Sequence, residues 1–94
     1  MAKYELHTFD VLRNETDGYE INNEFRSGEI YEIPDDVDDE TVIQLLRKEG
    51  VFRKGIRRSR IDIEWEESGW FFRDARNGKP EFRLQRVRDI SWAV

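Results

Sequence analysis

From Ile61 to Glu66 the chain alternates without exception, Ile61, Ile63 and Trp65 against Asp62, Glu64 and Glu66. A period of two predicts a strand with one buried face and one acidic, wet face. Ser68-Gly69 turns the chain into Trp70-Phe71-Phe72-Arg73, and Asn77-Gly78, the pair favoured in type I′ turns, turns it again into Phe82 and Leu84. These three segments predict a meander. Outward-facing Arg73 and Arg83 then stand to pair with Glu64 and Glu66 across strands, worth about 0.2–1 kcal/mol per pair.

The first half is less regular. Tyr4, Leu6 and Thr8 alternate with Glu5 and His7, after which Phe9 and Val11 continue on the opposite parity; this predicts a strand with one bulge or a change of face. Asn14-Glu15-Thr16-Asp17-Gly18 reads as a turn. Tyr19 to Phe25 and Glu29 to Ile33 predict a second strand broken at Arg26-Ser27-Gly28 and stopped by Pro34. A helix over about 39–49 follows. Asp35, Asp36, Asp38, Asp39 and Glu40 precede the stripe Val42, Leu45, Leu46; Arg47 and Lys48 fill the last turn, and Gly50 stands where a left-handed residue ends a helix. Acids at the start and bases at the end each favour the helix dipole by about 0.3–1 kcal/mol, which accounts for much of the acidic run. The predicted order is ββαβββ: one α+β domain over residues 1–94, an antiparallel sheet of about five strands with one helix.

Charge changes the picture more than any motif. Residues 1–50 hold 14 Asp and Glu against 5 Lys and Arg, a net of −9, whereas residues 51–94 hold 7 against 11, a net of +4. Such a split lets the halves attract within the fold, lets one molecule dock head to tail on another, or presents two faces to different partners, and it leaves the oligomeric state open, a homodimer included. The chain has no cysteine, which excludes disulfides, thiolate metal sites and a cysteine nucleophile. No apolar run approaches the ~20 residues of a membrane span, and Met1-Ala2-Lys3-Tyr4-Glu5 lacks a signal-peptide core. A cytoplasmic protein with no membrane partner is expected.

The chemistry-bearing residues point to binding. His7 is the single histidine and lies mid-strand; Ser27, Ser59, Ser68 and Ser91 carry no nucleophile signature, and no phosphate-cradling glycine motif occurs. No enzyme activity, cofactor or catalytic residue is expected. Asp35 to Glu40 lacks the spacing of a calcium loop, so no metal is expected. Arg53, Lys54, Arg57, Arg58 and Arg60, close to an aromatic strand, match what a phosphate-tracking groove with stacking rings needs. Helix capping leaves Glu15, Asp17, Glu20, Glu24 and Glu29, and also Glu32, unexplained. An acidic β-domain bearing them on one face can imitate the phosphates of a duplex and occupy a basic groove. The aromatic set Trp65, Trp70, Phe71 and Phe72 suits a core, a pocket or an oligomer interface.

Phe9-Asp10-Val11, Asp17-Gly18-Tyr19-Glu20-Ile21-Asn22-Asn23, Ile33-Pro34-Asp35-Asp36, Leu46-Arg47-Lys48-Glu49-Gly50 and Asp74-Ala75-Arg76-Asn77-Gly78-Lys79-Pro80 together resemble short proteins of bacteriophages and related mobile elements. The resemblance covers most of the chain and brings no catalytic motif with it. It implies a context of binding host machinery or phage nucleic acid. The reading is a non-catalytic binding protein that occludes a host protein surface, one that itself binds nucleic acid, through the acidic face. The alternatives are a single-stranded nucleic-acid binder using Arg53 to Arg60, and a small-molecule binder or oligomer subunit.

Overall fold

The computed structural model describes residues 1–16 and 18–87. The helix, α1 (Asp39–Lys48), forms where its caps predict. Asp38 accepts a hydrogen bond from the Thr41 amide at 2.8 Å. At the other end the Gly50 and Val51 amides donate to the Arg47 and Leu46 carbonyls, with Gly50 at φ 77°; this is the double bond pattern that closes a helix through a left-handed glycine. Val42, Ile43 and Leu46 are buried and Leu45 is half-buried. Val42 and Leu46 are thus buried as expected, and the third position differs. Ile43 takes a core place, and Leu45 turns towards the sheet edge.

The strands are β1 (Ala2–Arg13), β2 (Tyr19–Ile33), β3 (Ile61–Glu66), β4 (Gly69–Asp74) and β5 (Pro80–Arg86), in the single antiparallel sheet β2-β1-β5-β4-β3. The meander β3-β4-β5 closes onto β1, so the first strand becomes the middle one. The second strand is not broken, contrary to the expectation at Arg26-Ser27-Gly28. Glu5 pairs with Ile30 and His7 with Arg26, so Ser27, Gly28 and Glu29 bulge opposite Leu6, while Asn22 is extra between the Asp10–Asn23 and Val11–Ile21 pairs. The irregularity expected in β1 thus sits in β2. Gly28, at φ 83°, permits the larger bulge, and its amide donates to Glu5 Oε2 at 3.0 Å.

Cross-strand partners share a face, which divides the sheet cleanly. Leu6, Leu84, Trp70, Phe72 and Ile61 join Ile33 and the helix residues Val42, Ile43 and Leu46 in one buried cluster. Phe52, before β3, adds its ring 5.9 Å from Phe72 and 5.5 Å from Phe82. β1 pairs with β5 from Tyr4 to Thr8, and beyond Phe9 the β1–β2 hairpin runs on as a two-stranded ribbon. Gly69 (φ 148°) packs so closely on β5 that an added Cβ would lie 1.8 Å from the Leu84 carbonyl oxygen. No helix among the described residues is long and apolar enough to cross a membrane.

Candidate functional site

The face away from α1 carries charge, and it is nonetheless closed. Glu5 is 4% exposed. Arg26 Nε donates to its Oε1 at 2.8 Å, and His7 Nε2 lies 3.7 Å from the same oxygen. His7 Nδ1 donates to Glu24 Oε2 at 2.7 Å. Arg83 binds the other Glu24 oxygen and reaches Glu66 Oε1 at 3.0 Å across β4, and Arg73 donates to Glu64 at 2.8 Å. Beneath them lies Phe71, 5% exposed, with the Arg73 and Arg83 guanidinium carbons 4.3 and 5.1 Å from its ring centre and the Phe9 ring 5.4 Å away. Cation and carboxylate thus alternate over a ring floor, where guanidinium–ring contacts add to the ion pairs. The Arg26 hydrogen bond, the Gly28 amide and the nearby His7 hold the Glu5 carboxyl below its usual range against the opposing cost of burial. For Glu24, burial opposes and the bonds from His7 and Arg83 prevail, again lowering it.

The expected pairing of Arg73 and Arg83 with Glu64 and Glu66 is present, for Arg73 along the diagonal to Glu64 rather than directly opposite, and for Arg83 across the intervening β4 to Glu66. His7, Glu5 and Arg26 were not expected in the same lattice. Their alternation in the sequence shows which of them share a face, but not that β5 brings Arg83 to them.

The acidic residues proposed as one binding face are distributed. Glu15 lies in the hairpin turn and Asp17 falls outside the described residues. Glu20 pairs in register with Leu12 and Glu24 with Phe9, and the extra Asn22 between them turns the two to opposite faces of the ribbon. Glu24 is engaged by His7 and Arg83, and Glu29 accepts a bond from the Tyr31 hydroxyl at 3.2 Å. Glu15, Glu20 and Glu32 form no ion pair among the described residues. What these acids do share is the hairpin and its outer strand: β2 is exposed from Glu20 to Ile30, including Phe25 at 51% and Ile30 at 46%.

The basic stretch divides in two. Arg58 pairs with Glu40 at 2.7 Å and donates to the Ile61 carbonyl at 2.6 Å, and Arg60 Nε lies 3.9 Å from Asp74. Arg53, Lys54 and Arg57 are exposed and form no ion pair among the described residues. The rings a stacking groove would use are committed elsewhere: Phe52, Trp70 and Phe72 to the core cluster or packed on it, and Phe71 under the charge lattice. Trp65 stands out, 67% exposed on the outer strand β3. Among the described residues no group of three or more acidic or histidine side chains is placed to hold a metal ion. No protein-family model, curated protein or solved structure matches the chain.

Proposed function

We propose that the protein is a non-catalytic binding module that covers a basic surface of a partner protein with the acidic outer strand β2 and its hairpin. The observation that carries this reading is the contrast within β2. Glu24 is neutralised by cations of its own chain, whereas among the described residues Glu20 and Glu32 form no ion pair, although Lys3 stands opposite Glu32 in the register, on a strand that is exposed for most of its length and interspersed with Ile21, Phe25 and Ile30. Exposed apolar side chains among unpaired charges of one sign favour a partner of opposite sign, because the charge steers the encounter and the apolar contacts hold it. The resemblance to phage proteins favours a partner in a host cell, with the protein in its cytoplasm.

The test separates the two charged regions. Host lysate is passed over the immobilised protein, over a Glu20→Lys/Glu32→Lys variant and over an Arg53→Glu/Arg57→Glu variant. The reading expects a basic protein retained by wild type, lost from the first variant and kept by the second. The opposite pattern, together with retention of the wild type on single-stranded DNA that falls with rising salt, overturns it in favour of nucleic-acid binding through the exposed Arg53, Lys54 and Arg57.

A further inference from the structure

The two outer strands are protected very differently. β3 is six residues long and alternates Asp62, Glu64 and Glu66 along one side, the kind of charged edge that discourages pairing with a second chain. β2 is 15 residues long, contains no proline, and has Arg26 as its single cation. Beside its last turn of pairing lies a groove of about 180 Å³ between β2 and α1, with Ile30, Tyr31, Leu45 and Leu46 among its lining and Glu32 and Glu49 at its sides. This is below the roughly 300–1,000 Å³ of small-molecule pockets and suits one or two side chains. Its surroundings are negative: burial first, then Glu29 and Glu49, push the Tyr31 hydroxyl above its usual range.

We propose that β2 accepts an extended basic segment of the partner as a sixth strand, one apolar side chain of that segment seated in the β2–α1 groove and flanking Lys or Arg side chains placed against Glu32 and Glu49. The mode rests on the reading of β2 as the binding strand and specifies it. Main-chain hydrogen bonds to the free edge provide affinity, and the groove and its acids select the side chains. A second copy of this chain is a poorer occupant. Each β2 carries Glu20, Glu24, Glu29 and Glu32 against one arginine, so self-pairing brings like charges together along the strand.

The probe is a blocked heptapeptide alternating lysine with leucine and valine, titrated into the labelled protein by NMR. The expected result is perturbation of the Ile30–Ile33 and Leu45–Glu49 amides and slowed hydrogen exchange along β2. Glu32→Lys and Glu49→Lys, both at exposed positions, should each weaken binding about tenfold. A peptide with alternate backbone nitrogens methylated keeps its charge but cannot complete the ladder, and should not bind. Equal binding of the methylated peptide overturns strand addition while leaving a purely electrostatic use of β2 intact. No binding of either peptide also overturns strand addition. The broader reading fails separately, only if the Glu20→Lys/Glu32→Lys variant still retains the lysate partner. Concentration-dependent dimerisation without peptide, with hydrogen exchange slowed along β2, would assign the edge to a second copy instead.

Discussion

The two faces of this sheet bury similar side chains by different means. On one, Phe72, Leu84 and Ile33 are covered by the apolar side of α1. On the other, Phe71 is almost as inaccessible, yet its cover is Arg73, Arg83 and Phe9, held by Glu24, Glu64 and Glu66. The first face needs only shape and apolar area. The second depends on ionisation and on the exact placement of each partner. A strand face that reads as polar in the sequence can therefore be closed, so that little of its charge is available to a partner. Part of what remains available lies on the β2 edge, at Glu20 and Glu32.

The comparison breaks first on the apolar face. Phe72→Ala should cost about 3–5 kcal/mol in urea unfolding, the range for emptying a buried ring site. Gly69→Ala, which drives a methyl into the β5 backbone, should cost about 3 kcal/mol or more and loosen the β4–β5 pairing seen by hydrogen exchange. Arg83→Ala should cost about 1–2 kcal/mol, since it removes two carboxylate bonds and two ring contacts but leaves α1 and its core untouched.

Acid sharpens the difference. Glu5 and Glu24 have lowered values in the folded chain, so their contribution is fully present above the ordinary glutamate value of about 4.3 and is lost as pH falls below it towards the folded values. Thermal unfolding between pH 6 and pH 3 should fall in midpoint for wild type, and less steeply for Glu5→Gln/Arg83→Ala. A slope identical in the two proteins would show that the lattice contributes nothing. The smallest effect is expected at the edges. Trp65→Ser and Phe25→Ser should change stability by no more than ~0.5 kcal/mol, and Phe25→Ser should act on partner retention instead.

The sequence by itself determined the elements. Strict alternation placed β3, paired turn residues placed the meander, and Asp38 with Gly50 bounded α1, because each is a local signal acting over a few residues. Alternation also placed Arg73 and Arg83 on the side of Glu64 and Glu66. Only the tertiary structure decided that β1 lies between β2 and β5, that Glu5 is buried, that His7 stands between two carboxylates, and that Glu20 and Glu24 face opposite ways. Periodicity specifies which residues of one strand share a face, but not which strand lies beside it, and a single extra residue such as Asn22 reverses every face beyond it. For that reason an acidic surface assembled from sequence positions on β2 is divided in the fold. Its charge is partly spent on Arg83 and His7, and partly, at Glu20 and Glu32, without an ion pair among the described residues.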